Sequence, residues 1–258
     1  MPPDSPTVLA RGKHAEVLAW GEQQVLKLFK PGHGRGAIAE EFRQAQIAHG
    51  LGIPTARAEA IIEHQGRVGI VFERLRGPTL FHLAATRAAP IEQLATLLFD
   101  IGSAIHRCAV AGVPAIEARL AARIARAPGL PESTRRAALE ALNRVPGGKT
   151  LCHGDLHPAN LIVTERGPCV LDWVDAAHGP AAADAARTLL LLELGRPGQI
   201  ESAIRSAFVG AYRERLAAGG QIELIAPWAL PVAVARLAEG VDAAERAALL
   251  ERIGRLVG

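Results

Sequence analysis

The stretch that decides the fold reads Leu151-Cys-His-Gly-Asp-Leu-His-Pro-Ala-Asn-Leu-Ile-Val163, and Val170-Leu-Asp-Trp173 follows it. Asp155 and Asn160 lie five positions apart in a polar loop between apolar runs, and Asp172 ends another apolar run. Phosphoryl transfer needs a carboxylate that orients the attacking hydroxyl, and hard oxygen ligands for the magnesium ion that neutralises phosphate charge. The pattern therefore predicts Asp155 as the catalytic residue and Asn160 and Asp172 as metal ligands.

The spacing of His153, Asp155 and Asn160 matches the protein-kinase loop H-R-D-x-x-x-x-N, with Gly154 in place of the arginine. HGDLHPAN followed by LDW resembles the aminoglycoside phosphotransferase and choline kinase branch of the protein-kinase-like fold, and the resemblance covers nearly the whole chain. The combined pattern is more specific than HGD alone. It implies a small-molecule kinase that uses ATP and Mg²⁺ to phosphorylate a hydroxyl group.

The N-terminal part predicts a small antiparallel sheet interrupted by one helix. Apolar residues at helical spacing, followed by Gly50, predict that helix at Ala37–His49. Short apolar runs separated by turn residues predict strands on both sides of it. These strands are Thr7–Ala10, Glu16–Trp20, Gln24–Phe29, Ala58–Glu63 and Val68–Glu73.

Beyond Gly77 and Pro78 the pattern becomes mainly helical, with one break that carries the motif. The predicted helices are Ile91–Ala111, Ala115–Arg126, Glu132–Asn143, Ala182–Leu194, Ile200–Ala217 and Asp242–Val257. The break contains the predicted strands Thr150–His153, Leu161–Val163 and Cys169–Leu171. We therefore expect an α+β, bilobal, protein-kinase-like fold with a nucleotide-binding lobe at residues 1–75 and a helical lobe at residues 76–258.

The resemblance also assigns the groups that would bind ATP. It implies a phosphate-binding lysine on the third strand, which Lys27 supplies, and a glutamate partner on the following helix. Family-like spacing favours Glu41 over the adjacent Glu40. The resemblance further implies a hinge between the lobes, near Phe72 to Gly77, where Glu73 and Leu75 would offer adenine a backbone carbonyl and a backbone amide.

Several neighbouring residues have structural explanations. His157 is either a ligand for phosphate or substrate or a loop residue without a chemical role. Asp184 is expected to brace the catalytic loop or cap a helix, and His106 to be a core histidine. The Trp173 side chain is expected to have a packing role.

Composition limits the possible partners and location. Of the 258 residues, 49% are hydrophobic, 21% charged and 4% aromatic, and the formal net charge is +3. These values favour a folded chain without the aromatic platforms of single-strand nucleic-acid binders. The longest apolar run, Leu224–Ala235, is shorter than the roughly 20 residues of a membrane span. No secretory signal pattern is visible, and the three cysteines are widely spaced, so we expect reduced thiols and a cytoplasmic enzyme without nucleic-acid or membrane partners.

The sequence leaves the phosphate acceptor open. Aminoglycosides are polycations, yet the chain from Gly195 onward has seven acidic residues against eight arginines and no acidic cluster. A sugar, an amino alcohol or a related metabolite is equally compatible. A pseudokinase that binds nucleotide without transfer is the alternative, although Lys27, Asp155, Asn160 and Asp172 are all present. A protein kinase is disfavoured because the chain lacks an activation-segment signature between Asp172 and Asp184.

Overall fold

The computed structural model describes residues 6–195 and 201–258. The strands in these residues are β1 (Val8–Arg11), β2 (Ala15–Ala19), β3 (Gln24–Phe29), β4 (Ala58–His64), β5 (Arg67–Glu73), β6 (Thr150–Cys152), β7 (Leu161–Thr164), β8 (Gly167–Val170) and β9 (Ala177–Gly179). The α-helices are α1 (Arg35–Gly50), α2 (Leu80–Ala85), α3 (Ile91–His106), α4 (Ile116–Arg126), α5 (Glu132–Arg144), α6 (Ala181–Leu194), α7 (Ser202–Ala218), α8 (Ile222–Ile225), α9 (Ala229–Arg236) and α10 (Ala243–Val257). The chain is thus α+β, with its main sheet in the N-terminal part and most of its helices after it.

Contacts between residues divide the chain into two compact units. The first unit comprises the described part of Met1–Pro78 together with Ile162–Asp175, and the second comprises Thr79–Leu161 with the described part of Ala176–Gly258. The sequence-based division had instead put residues 162–175 in the C-terminal lobe. They join the first unit because the Val163 amide donates to the Pro78 carbonyl and the Val170 amide to the Pro54 carbonyl, each at 2.8 Å.

The first unit is built on a five-stranded antiparallel sheet in the order β1-β2-β3-β5-β4. The alternation of side chains along β3 places its leucines and Lys27 on opposite faces of the sheet. Leu26 and Leu28 are buried and pack with Leu18 and Val71, whereas Lys27, between them, lies on the opposite face. The predicted order of three strands, one helix and two strands is confirmed, and the alternation leaves Lys27 outside the apolar cluster.

The second unit is mainly helical and is centred on α6, whose residues 183–192 are all buried. Helix α6 packs against α7 and α9, while α3 packs on α7 and α4 on α9. Strands β6 and β9 form an antiparallel pair in which Cys152 lies opposite Ala177. The motif loop leaves β6 directly after Cys152, so the buried helix and this pair together fix where the loop begins.

The main departure from the predicted helices is the end of α3. The helix was predicted to reach Ala111 but ends at His106. Beyond it, the Cys108 carbonyl accepts a 2.7 Å hydrogen bond from the Leu151 amide, and Ala109 forms a bridge with Thr150. Extended pairing with the start of the motif segment therefore replaces the last helical turns.

Four of these helices and strands were not predicted: α2, α8, α9 and β9. Helix α2 has six residues, too few for a helical periodicity to be read, and the Thr79 side chain caps it by accepting from the His82 amide. Strand β9 has three residues. The predicted helix start at Ile200 lies outside the described residues, and α7 begins at Ser202.

Among the described residues, no single helix has both the length and the apolar composition needed to cross a membrane. The segments Ser202–Ala218 and Ile222–Glu239 meet that criterion only as a pair, with a bend of 109° between them.

Candidate active site

Lys27 is the centre of the charged cluster in the first unit. Its Nζ lies 2.6 Å from Glu41 Oε1 and 2.9 Å from Asp172 Oδ1. Burial opposes the charged ammonium, but the Asp172 and Glu41 carboxylates outweigh that effect and raise the pKa of Lys27 above its usual range. The amine is therefore a fixed positive charge between two carboxylates.

The two neighbouring glutamates of α1 have different partners. Glu41 is buried and contacts Lys27, whereas Glu40 accepts hydrogen bonds from Arg43 and Gln44 on its own helix. Adjacent helical residues point about 100° apart, so only one of the pair can face β3. The structure brings Glu41, the residue preferred from the sequence, to Lys27.

Asp172 occupies an unusual backbone conformation at the end of the β7–β8 segment. Its φ is +64°, in the left-handed region that aspartate tolerates better than most non-glycine residues. The residues on either side are fixed, because the Trp173 indole N–H donates to Thr55 Oγ1 at 2.9 Å and Thr55 Oγ1 donates to the Val170 carbonyl at 2.7 Å. Strain at Asp172 is thus held by packing, as is common at functional sites.

In the second unit, Asp155 is surrounded by polar side chains of its own loop and of α6. Its Oδ1 lies 3.3 Å from Arg187 Nη2, and its Oδ2 lies 3.3 Å from Asn160 Nδ2 and 3.5 Å from His157 Nε2. The same Asn160 nitrogen donates to the Asp155 carbonyl at 3.0 Å. Asn160 therefore closes the loop onto Asp155, and its amide oxygen is the atom left for another ligand.

The histidines of this loop have defined tautomers because their Nδ1 atoms accept hydrogen bonds. His157 Nδ1 accepts from the Ala159 amide at 3.2 Å, and His153 Nδ1 accepts from the Asp155 amide at 3.1 Å. A neutral imidazole that accepts at Nδ1 carries its proton on Nε2. The proton of His157 therefore faces Asp155.

Asp184 fixes the start of the loop from α6. One carboxylate oxygen accepts from the His153 amide at 2.9 Å and from His106 Nε2 at 2.9 Å, and the other accepts from the Gly154 amide at 2.7 Å. Burial would raise the pKa of Asp184, but the His106 hydrogen bond and charge, with the other donors, lower it. Asp184 thus braces the loop and His106 is a satisfied interior histidine, as the sequence predicts.

Arg187 was missed by the sequence analysis, although it contacts the proposed catalytic carboxylate. It is 4% exposed, and it donates from Nε to the Gly154 carbonyl at 3.2 Å and from Nη2 to Glu239 at 2.6 Å, in addition to Asp155. Glu239 in turn pairs with Arg123 and Arg236. One signal was available: Arg187 follows Asp184 by three positions, which places both on one face of a helix.

These contacts determine the charge state of Asp155. Burial would raise the pKa of this carboxyl group, but the His157 hydrogen bond, the Arg187 guanidinium and His153 hold it well below its usual range. Asp155 is therefore an ionised, weakly basic carboxylate that accepts hydrogen bonds.

The predicted hinge residues have contacts of their own in the first unit. The Glu73 amide donates to the Arg57 carbonyl at 2.9 Å, and the Glu73 carboxylate pairs with Arg166 at 2.5 Å. Leu75 is half-buried. The predicted residues thus form two sets: Lys27, Glu41, Glu73, Leu75 and Asp172 belong to the first unit, and Asp155 and Asn160 to the second.

Comparison with known families identifies the chain. A model of the phosphotransferase enzyme family (APH) matches residues 7–230. The chain belongs to this family. The resemblance read from HGDLHPAN and LDW is confirmed, and so is the enzyme class, a small-molecule phosphotransferase.

Solved structures similar to this phosphotransferase confirm its fold class. Amicoumacin kinase hAmiN, solved with AMP-PNP, Ca²⁺ and Ami, has 14% identity and a TM-score of 0.62, with 98% of this chain and 87% of that chain covered. The GDP and kanamycin complex of APH(2")-IIia has 19% identity and a TM-score of 0.58, with 98% and 92% covered. An aminoglycoside-3'-phosphotransferase of type VIII has 19% identity and a TM-score of 0.59, with 88% and 92% covered. No curated protein sequence matches the phosphotransferase.

Proposed function

We propose that this phosphotransferase moves the γ-phosphate of ATP to a hydroxyl group of a small molecule in a Mg²⁺-dependent reaction. The observation that carries the proposal is the environment of Asp155, whose ionised carboxylate contacts the side chains of Arg187, Asn160 and His157. Such a group orients a substrate hydroxyl by accepting its hydrogen bond, which is the main task of a protein residue in phosphoryl transfer. Asp155 is accordingly the proposed catalytic residue.

Lys27 is the proposed contact for the ATP phosphates. Its fixed positive charge and its pairing with Glu41 suit a residue that steadies the α and β phosphates. Glu41 supports this role by orienting the amine. Glu73 and Leu75 at the hinge are the proposed adenine contacts, through backbone groups.

The residues proposed to bind Mg²⁺ have suitable donor chemistry. Magnesium prefers oxygen ligands and usually takes one or two protein side chains together with phosphate and water oxygens. Asp172 offers a carboxylate that is 37% exposed, and Asn160 offers its amide oxygen, since its nitrogen is bonded to Asp155. Within residues 6–195 and 201–258, no group of three or more His, Cys, Asp and Glu side chains could hold a metal alone, which agrees with a site that needs the phosphates. When bound, the ion would neutralise phosphate charge.

The nucleotide complexes of the similar structures support ATP as the donor, because hAmiN was solved with AMP-PNP. Because APH(2")-IIia was solved with GDP, GTP is the second nucleotide to test as a phosphate donor. The three free thiols in the described residues agree with a reducing compartment, so a cytoplasmic location belongs to the same proposal.

The replacement Asp155→Asn tests the proposal. We expect kcat for transfer to fall by roughly 10²–10⁴-fold, as for loss of a general acid–base group, while ATP binding remains. Transfer would be measured with ATP or GTP and Mg²⁺ against a panel of sugars, amino alcohols and aminoglycosides, and nucleotide binding by calorimetry. Asp100→Asn is the matched control, because Asp100 is 59% exposed on α3.

The outcome separates an enzyme from a pseudokinase. An Asp155→Asn protein with normal transfer would contradict the role of Asp155. A wild-type protein that binds ATP but transfers phosphate to no acceptor would favour the regulatory alternative.

A further inference from the structure

Arg187 is shared between two carboxylates of the second unit. One nitrogen of its guanidinium group, Nη2, lies 2.6 Å from Glu239 Oε2 and 3.3 Å from Asp155 Oδ1. Hydrogen bonds from a guanidinium to a carboxylate are normally about 2.7–2.9 Å long. Arg187 is therefore bound tightly to Glu239 and only loosely to Asp155.

Glu239 lies at the end of the turn Leu237–Glu239, where side chains of α4, α6 and α9 meet. Its carboxylate pairs with Arg236 of α9 as well as with Arg187, and its Oε1 lies 3.1 Å from Arg123 Nη1 on α4. Burial would raise the pKa of Glu239, but the neighbouring arginines, Arg187 foremost, lower it. Glu239 is therefore an ionised carboxylate with several cationic partners.

Arg236 connects Glu239 to the start of α10. It donates from Nε to Glu245 Oε1 at 2.7 Å, and Glu245 is buried. The Glu245 amide in turn donates to the Asp242 side chain, which caps α10. The turn that carries Glu239 is thus tied to the last helix, so the position of its carboxylate does not depend on Arg187 alone.

The loose contact with Arg187 leaves Asp155 able to accept a further hydrogen bond. An ionised carboxylate has about four lone-pair sites on its two oxygens. Arg187, Asn160 and His157 face the Asp155 carboxylate at 3.3–3.5 Å. A guanidinium that bound Asp155 with two parallel hydrogen bonds would occupy the remaining site. A substrate hydroxyl needs that site, because it must donate its own hydrogen bond to Asp155.

We propose that Glu239 is a positioning residue that holds the Arg187 guanidinium at a loose distance from Asp155 and so keeps one lone-pair site of that carboxylate available to the substrate hydroxyl. The inference rests on the proposed function, because it takes Asp155 as the group that receives the hydroxyl. Without the charge of Glu239, the guanidinium would move onto Asp155, the second carboxylate that it contacts. Glu239 thus acts through Arg187.

The replacement Glu239→Gln tests this geometry without any turnover. The amide keeps the shape of the side chain and removes its charge. In a crystal structure of the full chain, Arg187 Nη2 and Asp155 Oδ1 should then lie about 2.8 Å apart instead of 3.3 Å. Glu251→Gln is the matched control, because Glu251 is 71% exposed on α10, and it should leave the distance unchanged.

A second variant covers the case in which Glu239→Gln does not fold. Glu239→Asp keeps the charge but withdraws the carboxylate from Arg187 by one methylene. It should shorten the distance between Arg187 and Asp155 in the same direction by a smaller amount.

A double-mutant cycle tests the effect on catalysis. Release of radiolabelled phosphate from MgATP, with water as the attacking group, gives a kcat that requires no identified acceptor. We expect Glu239→Gln to lower this kcat by about tenfold, since small displacements of a catalytic group are costly, while the KM for ATP changes little. In an Arg187→Met background the same replacement should change kcat by less than about twofold, because a residue that acts through another has no effect once that other is removed.

Three results would overturn the inference: an unchanged distance between Arg187 and Asp155 in the Glu239→Gln protein, an unchanged kcat in that protein, or the same loss of kcat with and without Arg187. The last result is what a purely structural role predicts. A wild-type protein that binds MgATP but transfers its phosphate to neither water nor any alcohol would instead contradict the proposed function. The distance would then decide alone whether Glu239 controls Arg187.

Discussion

Arg187 is the residue whose replacement best tests how Asp155 is positioned. We expect Arg187→Met to lower kcat while the KM for ATP changes little, because the guanidinium contacts Asp155 and the Gly154 carbonyl in the second unit, whereas Lys27 belongs to the first. The same variant should lose about 3–5 kcal/mol of stability, since it leaves Glu239 with fewer partners in a buried site. Steady-state kinetics and thermal unfolding measure the two effects separately.

Two further variants show whether a loss of kcat in Arg187→Met is specific to the guanidinium at this position. Arg187→Lys keeps the charge without the forked geometry, and we expect it to recover part of kcat. Arg136→Met is the control, because Arg136 is 72% exposed on α5. A folded Arg187→Met protein with a lowered thermal midpoint and unchanged kcat would show that Arg187 only supports the fold.

The proximity of site residues was readable from the sequence where the residues lie within one motif. Asp155 and Asn160 are five positions apart, so their spacing alone indicates their proximity. Arg187 and Glu239 lie 32 and 84 positions after Asp155, at distances where no local pattern links charged residues. Their contacts depend on how α6 and the turn at Leu237–Glu239 pack, which requires the tertiary structure.

At the scale of single elements, replacing two glycines by alanine should have opposite effects on the stability of the protein. Gly210 lies within α7, and an added Cβ would meet no atom within 4 Å. Gly210→Ala should therefore stabilise the protein by about 0.5–1 kcal/mol, because alanine loses less backbone entropy in a helix. A rise in the thermal midpoint checks this expectation, and a fall would contradict it.

Gly77 gives the contrasting case. Its φ is +149°, and an added Cβ would lie 1.9 Å from the Val163 carbonyl oxygen. Gly77→Ala should strongly destabilise the first unit or prevent its folding, because backbone atoms on both sides of the contact would have to move. A variant with an unchanged thermal midpoint would show that the chain after the hinge can shift without cost.

Element prediction succeeded where periodicity had enough residues to be read. The bounds of β3 were predicted as observed, because Leu26 and Leu28 alternate with Lys27 between turn residues. Helix α2 and β9 are too short for such a pattern, and the end of α3 depends on pairing with Thr150, more than 40 positions away. Local sequence cannot report a partner that distant.

At the scale of the whole molecule, nucleotide binding should appear as stability. A ligand that binds only the folded state at 100 times its Kd adds about 2.7 kcal/mol, so MgATP should raise the thermal midpoint by roughly 5–10 °C. The shift should be smaller with ATP and EDTA, and Mg²⁺ alone should produce little. Asp172→Asn should reduce the Mg²⁺-dependent part, and an equal shift with EDTA would argue against a metal role in ATP binding.

Because the segment Ile162–Asp175 belongs to the first unit, exchanging one unit between two family members requires more than one crossover. The chain passes from one unit to the other after Pro78, after Leu161 and after Asp175, so neither unit is a continuous stretch of sequence. A chimaera that takes its first unit from another family member must therefore be joined at three places. A single crossover near residue 78 would instead combine Lys27 from one parent with Asp172 from the other. Such a chimaera tests whether the salt bridge between Lys27 and Asp172 forms when its two residues come from different parents.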